Sequence, residues 1–276
     1  MPERQDKASN GFDAVIVLEL LLSLILCAGT SLMLEGGWRG QDSVAIAGYD
    51  PQALGLGVLA IVAAVYLWGP VVGGSLILSV MLHEFGHVAA YRVCGHGDAR
   101  FRLIPLIGGV AIADRQPESQ EKAFFISLMG PAISIAPMIL ALSLSEVMVD
   151  SAPLASQYLW VFSGVMAALN FFNLLPLWPL DGANCLQRVI YSISPRGAVH
   201  LTYVMCGAMV AAALTMRSYL LLFFALASVR QLLADLASGR HQPPMSRKHG
   251  LLCLFAYGFT CATHLLGGYS VIRSFF

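Results

Sequence analysis

Residues 80–88, Val80-Met81-Leu82-His83-Glu84-Phe85-Gly86-His87-Val88, form a His-Glu-x-x-His motif inside an apolar run. On a helix, His83 and His87 lie one turn apart on the same face, so both imidazoles can bind a single Zn²⁺ ion. Glu84 stands beside them and is free to act on an attacking water. Ionisable residues are costly inside a membrane, so their presence there indicates function. The alternative is a pair of core histidines that hydrogen bond to neighbouring helices.

The composition is that of a polytopic membrane protein. The 276 residues are 57% hydrophobic and 12% charged, with a mean hydropathy of +0.72, whereas soluble domains carry about 25% charged residues. The charged residues are clustered between long apolar runs. The net charge is zero, so nothing indicates nucleic-acid binding. The six cysteines have no paired spacing and are expected to be small buried hydrophobic residues.

The apolar runs predict an all-α fold, a bundle of about six to eight transmembrane helices. The motif helix is predicted over Val71–Tyr91. Residues 53–68 before it are apolar but short, which leaves three alternatives: a separate span, a re-entrant segment, or part of one long kinked helix. The other predicted spans are Ala14–Leu34, Phe124–Leu144, Tyr158–Leu175, Val199–Thr215, Tyr219–Leu236 and Leu251–Val271.

The loop after the motif helix is basic. Its lysine and arginine residues are Arg92, Arg100, Arg102, Arg115 and Lys122. By the positive-inside rule this loop faces the cytoplasm, so a multi-pass protein of the cell membrane is expected, with its zinc motif near the cytoplasmic side. Within the loop, Phe101–Ala113 is apolar, too short to span the membrane, and broken by Pro105 and Gly108-Gly109. It predicts a short strand pair or re-entrant turn at the membrane surface.

Catalytic zinc usually takes three protein ligands and leaves a fourth position for water. Asp181 is the strongest candidate for the third ligand, because it follows a span that returns to the level predicted for the two histidines. Pro176 and Pro179 exclude a regular helix just before Asp181 and present it in a fixed direction. The alternative role for Asp181 is a helix N-cap. The remaining candidates in or against apolar runs are Glu19, Glu146, Asp235, His200 and His264.

Two motifs together resemble the paired signature of the site-2 proteases, the intramembrane zinc metalloproteases. They are His83-Glu84-Phe85-Gly86-His87 and Asn173-x-x-Pro176-x-x-Pro179-Leu180-Asp181-Gly182. Gly130-Pro131 also resembles an element of that family's core, and the segment with Gly108-Gly109 resembles its membrane-embedded β segment. The resemblance covers roughly residues 71–190.

The resemblance implies that His83, His87 and Asp181 bind one Zn²⁺ ion and that Glu84 is the catalytic general base and acid. It further implies that Asn173 and Pro176 take part in substrate binding. Backbone around Gly108 and Gly109 is expected to hold an unwound substrate by strand addition. The chain departs from the family at Ser134, where many members carry Asn, which leaves the helix contact at that position open.

The expected function is hydrolysis of peptide bonds within or near transmembrane segments of other membrane proteins, in the lipid bilayer. Residues 71–193 are the predicted metalloprotease core, preceded in 1–70 by a tail and additional membrane segments and followed in 194–276 by transmembrane helices. No PDZ or nucleotide-sensing domain is expected. The alternatives are a proteolytically silent relative that binds membrane partners, and a transporter that uses the same ionisable residues as an ion relay. A membrane di-iron oxygenase would need more histidine clusters than this chain has.

Overall fold

The computed structural model describes residues 2–38, 51–104, 108–219, 221–226, 229–230 and 243–275. Within these ranges the chain is mostly helical, with one pair of short strands. The elements are α1 (Pro2–Met33), α2 (Pro51–Val93), β1 (Arg100–Ile104), β2 (Gly108–Ile112), α3 (Gln120–Ile133), α4 (Ile135–Val147), α5 (Pro153–Asn173), α6 (Asp181–Ile193), α7 (Pro195–Thr215) and α8 (Arg247–Phe275).

Several helical segments are long and apolar enough to cross a membrane. Among the described residues there are five: Val15–Met33, Gly55–Val93, Gln120–Val147, Pro195–Thr215 and Arg247–Tyr269. They confirm the predicted all-α polytopic membrane fold. Half of the predicted span Tyr219–Leu236 lies outside the described residues, so the total of six to eight crossings stays a prediction.

The range of α2 holds two helical arms that meet in a kink at Gly69-Pro70. Gly69 has φ 77° and ψ 168°, a left-handed backbone conformation that glycine adopts without a Cβ clash. The two arms come so close at this kink that a Cβ atom on Gly73 would collide with the backbone of Ala64. Residues 53–68 are therefore a helical arm joined to the motif helix through a kink, and whether this arm crosses the membrane stays a prediction.

Helix α5 lies in the middle of the bundle and packs against α2, α4 and α8. It corresponds to the predicted span Tyr158–Leu175. Its 21 residues measure about 31 Å, close to the thickness of a bilayer hydrocarbon core. Met166, Ala167 and Asn170 on this helix are fully buried. One face of the helix is therefore buried in protein near its C-terminal end, which is where the candidate site lies.

The predicted span Phe124–Leu144 is divided into α3 and α4 at Ser134. Pro131 has no backbone N–H, and the N–H of Ser134 bonds back to the Pro131 carbonyl at 3.2 Å in a tight turn. Nε2 of His264 in α8 lies 2.9 Å from the same carbonyl oxygen and donates to it. The last helix thus stabilises the break in the α3–α4 pair.

Strands β1 and β2 are antiparallel, with Arg100 opposite Ile112 and Ile104 opposite Gly108. Of the two alternatives predicted for residues 101–113, the strand pair is the one observed. The Oδ2 atom of Asp98 accepts the backbone N–H of Asp114 at 2.6 Å and closes the base of the hairpin. Both strands pack against α2, so the hairpin lies beside the motif helix.

Candidate metal centre

Three potential ligand atoms converge between α2 and α6. Nε2 of His83 lies 3.1 Å from Nε2 of His87, and Oδ2 of Asp181 lies 3.2 and 3.3 Å from these two nitrogens. Ligand atoms bound to zinc at about 2.0–2.1 Å with tetrahedral angles lie about 3.3–3.4 Å apart. The triangle formed by these two nitrogens and the Asp181 oxygen therefore has the size of a zinc site. Among the residues that the structure describes, this is the one group of three such side chains able to hold a metal ion.

The hydrogen-bond partner of Nδ1 in each imidazole shows which tautomer the ring takes. Nδ1 of His83 lies 2.8 Å from Oδ1 of Asn170, and Nδ1 of His87 lies 2.7 Å from the carbonyl oxygen of Ile126. A carbonyl oxygen can only accept, so each Nδ1 carries a hydrogen, and in the neutral ring the lone pair of Nε2 faces the triangle. In that form two nitrogen lone pairs and a carboxylate oxygen face one another, an arrangement that a cation between them stabilises.

Two glycines allow the ring of His87 to lie between α2 and α3. A Cβ atom on Gly86 would collide with the carbonyl of Met129, and a Cβ atom on Gly130 would collide with the imidazole of His87. The absence of both side chains lets the helix backbones approach closely, so that Nδ1 of His87 reaches the Ile126 carbonyl. Gly130 of the Gly130-Pro131 element therefore has a direct steric role at the centre.

Asp181 is the first residue of α6, and the N-cap position belongs to Leu180. The structure therefore does not show the N-cap alternative for Asp181, whose carboxylate contacts the two imidazoles instead. Burial raises the pKa of Asp181, but the neighbouring His87 and His83 together lower it by more. The net pKa is therefore below its ordinary range. The carboxylate is consequently ionised at neutral pH, the form that binds a metal.

The turn before Asp181 is anchored at its first residue. The hydroxyl of Tyr257 in α8 donates to the carbonyl of Leu174 at 2.6 Å. Gly182 lies so close to that carbonyl that a Cβ atom would overlap it. Residues 174–180 between α5 and α6 are non-helical, as the two prolines predict. These contacts fix the direction in which α6 begins and hence the position of the Asp181 carboxylate.

Glu84 is buried beside the triangle, with 6% of its surface exposed. The backbone N–H of Ala111 in β2 donates to its carboxylate. A Cβ atom on Gly109 in the same strand would occupy the space of that carboxylate. The hairpin therefore covers Glu84 and holds it through the backbone.

Only some of the predicted substrate-binding residues lie beside the candidate metal centre. Gly109 lies against Glu84, and Gly108 pairs with Ile104 at the start of β2. The amide of Asn173 donates to Leu169 of its own helix at 3.1 Å, while Pro176 is exposed in the turn before α6. A role for these residues in substrate binding stays a prediction.

Sequence reasoning missed Asn170, which is fully buried and contacts His83. The sequence did contain one indication of its role: Asn170 is a second asparagine in the same apolar helix, one turn before Asn173. His96 lies in the turn after α2 and is only 6% exposed, with its ring against that of Tyr91 at a centroid distance of 5.5 Å.

No protein-family profile matches the chain. Among curated proteins, the chain is 33% identical over 118 residues to Zinc metalloprotease MJ0392 of Methanocaldococcus jannaschii, a match that covers 42% of this chain and 33% of that protein. It is 31% identical over 111 residues to Stage IV sporulation protein FB of Bacillus subtilis, covering 40% of this chain and 37% of that protein. The chain thus spans about a third of the length of these relatives. They confirm the resemblance that the two motifs predict, and the chain is similar in sequence to zinc metalloproteases of the site-2 protease type.

Proposed function

We propose that this protein is an intramembrane zinc endopeptidase that hydrolyses peptide bonds within or near transmembrane segments of membrane-protein substrates. The convergence of His83, His87 and Asp181, with a buried Glu84 beside them, carries the proposal. Sequence similarity to zinc metalloproteases supports it independently. The match with the Methanocaldococcus jannaschii protein covers 33% of that relative, so an activity shared with it is itself part of the proposal.

Bound to His83, His87 and Asp181, zinc would lower the pKa of a water to about 7 and polarise the scissile carbonyl. Glu84 is the general base that accepts the proton of the attacking water and the general acid that delivers it to the leaving amine. The N–H of Ala111 holds the Glu84 carboxylate and so limits its rotation during this transfer. The imidazoles are kept in one form by Asn170 and Ile126.

A substrate helix in lipid satisfies its backbone hydrogen bonds internally, so it must unwind locally before hydrolysis. The edge of β2 beside Glu84 is the proposed place where the unwound stretch binds. It would pair through backbone groups other than the N–H of Ala111, which donates to Glu84. Backbone groups alternate between the two edges of a strand, so those of Gly109 share the edge beside Glu84. A substrate strand added there would lie next to the general base.

The depth of the site supports a position near one membrane surface. His87 lies six residues before Val93, the end of α2, which corresponds to about 9 Å along the helix. Since the loop after Val93 is basic, we place this end on the cytoplasmic side of the cell membrane. A single-cysteine variant carrying Gly97→Cys is expected to react with an impermeant thiol reagent only in inverted vesicles.

The test of the proposed function compares wild type with Glu84→Gln, both purified in detergent. Bound zinc is measured per chain, and cleavage of a transmembrane peptide is followed by mass spectrometry. We expect about one zinc per chain in both proteins and cleavage only by wild type. The control is Glu146→Gln, which removes an exposed carboxylate at the end of α4 and should leave cleavage unchanged. Equal cleavage by wild type and Glu84→Gln would remove Glu84 from the mechanism, and absence of zinc from wild type would remove the protease proposal.

A further inference from the structure

The side chain of Asn170 connects α5 to the candidate metal centre. It is fully buried, although α5 is otherwise apolar around this position. Its Oδ1 atom lies 2.8 Å from Nδ1 of His83. Its Nδ2 atom lies 2.8 Å from the carbonyl oxygen of Met166, one turn earlier in the same helix.

The second of these contacts determines the orientation of the amide. The carbonyl of Met166 can only accept, so the nitrogen of the amide must face it and the oxygen must face His83. Nδ1 of His83 is then the donor, and Nε2 is left with its lone pair towards His87 and Asp181. Asn170 therefore determines both the tautomer and the rotation of the imidazole ring.

We propose that Asn170 is a positioning residue for the zinc centre, a proposal that rests on the function proposed above. Metal-binding histidines commonly donate their second N–H to a carboxylate or carbonyl, and loss of that acceptor typically costs 10–100-fold in metal affinity. An amide supplies the acceptor without adding a second buried negative charge. His87 obtains its acceptor from the backbone of Ile126, so Asn170 is the side chain through which one imidazole can be tested by substitution.

The experiment measures zinc affinity by chelator competition in detergent for wild type, Asn170→Leu and Asn170→Asp. Leucine preserves the approximate volume and removes the acceptor, and we expect a 10–100-fold loss of affinity. Aspartate keeps an acceptor oxygen facing His83, so we expect an affinity within about tenfold of wild type. The visible absorption of the Co²⁺-substituted protein should be retained in Asn170→Asp and changed in Asn170→Leu, because it reports the ligand geometry.

Asn173→Ala is the matched control for zinc affinity, since Asn173 lies one turn later in α5 and donates to its own helix. Its zinc affinity should equal that of wild type. Wild-type affinity in Asn170→Leu would overturn the proposal. If Asn170→Leu does not fold, a 10–100-fold loss of affinity and an altered Co²⁺ spectrum in monodisperse Asn170→Asp would overturn it as well. Wild type that binds no zinc would instead overturn the proposed function, which distinguishes the two failures.

Discussion

Gly109 in β2 lies so close to Glu84 that a methyl group on its Cα would occupy the position of the Glu84 side chain. The strand pair and the His-Glu-x-x-His helix thus meet at the residue proposed as general base. Ala111, two residues further along β2, donates its N–H to the same carboxylate. The hairpin is therefore part of the site, and changes in β2 are expected to alter catalysis without altering the metal ligands.

Gly109→Ala should displace the Glu84 carboxylate and lower the rate of peptide cleavage at least about tenfold, because general acid–base catalysis contributes about 10²–10⁴-fold. Zinc content should stay at the wild-type level. Both are measured on the purified protein. Gly97→Ala is the control, since a Cβ atom at Gly97 meets nothing within 4 Å. Cleavage at the wild-type rate by Gly109→Ala would contradict the proposed role of the hairpin.

Gly130→Ala should weaken zinc binding, because the added methyl group would overlap the imidazole of His87. We expect a loss of at least about tenfold in affinity, similar to that for loss of an outer-shell partner. Chelator competition measures the effect. Gly74→Ala in α2, where a Cβ atom meets nothing within 4 Å, is the matched control. An unchanged zinc affinity in Gly130→Ala would show that α3 can move away from the ring at no cost to the site.

Tyr257→Phe should lower the free energy of unfolding by about 1–3 kcal/mol, because it leaves the buried carbonyl of Leu174 without its donor. Unfolding by denaturant in detergent measures the change. Tyr219→Phe removes a hydroxyl from a residue that is 89% exposed and should have no effect. Equal stability of the two variants would mean that the Tyr257 hydroxyl does not anchor the turn before Asp181.

The base of the hairpin should respond to pH through Asp98. The hydrogen bond from the backbone of Asp114 lowers the pKa of Asp98. A lowered pKa in the folded state means that the contribution of Asp98 is complete above its unfolded pKa of about 3.9 and is lost as the pH falls through the folded value. Protection of the Asp114 amide against hydrogen exchange, corrected for intrinsic rates, should therefore decrease at low pH.

Asp98→Ala should abolish the protection of the Asp114 amide at pH 7. Asp114→Asn keeps the backbone donor, so the amide at position 114 should stay protected. This variant separates the hydrogen bond to Asp98 from the ion pair of Asp114 with Arg100. Protection that is independent of pH in wild type would exclude Asp98 as the acceptor in solution.

The local parts of the site could be predicted from the sequence because helical spacing alone places His83 and His87 on one face. The role of Asp181 was harder to predict, because local sequence equally favours two roles for an aspartate at the start of a helix: a cap or a metal ligand. Only the assembled structure distinguishes these roles, because α6 packs against α3 and its first side chain reaches the two imidazoles of α2. The outcome is that Leu180 takes the N-cap position and Asp181 faces the imidazoles.

Asn170 and the break at Ser134 depend on contacts between distant helices. A buried asparagine in an apolar helix has many possible partners, and no spacing rule identifies His83 among them. The sequence predicts that Pro131 is tolerated within one span. It does not predict that the helix ends at Ile133 and restarts at Ile135, with His264 of α8 donating at the break. Such features follow from the assembled bundle rather than from local pattern.

The order of the ligands along the chain has a consequence for biosynthesis. A nascent polypeptide that has inserted α1 to α5 contains both imidazoles and the general base, but not the carboxylate that begins α6. Asp181 and then Tyr257 follow during translation. The proposed catalytic centre is therefore completed late, and its anchor in α8 is made last. An emerging chain without α6 therefore lacks one of the three proposed metal ligands.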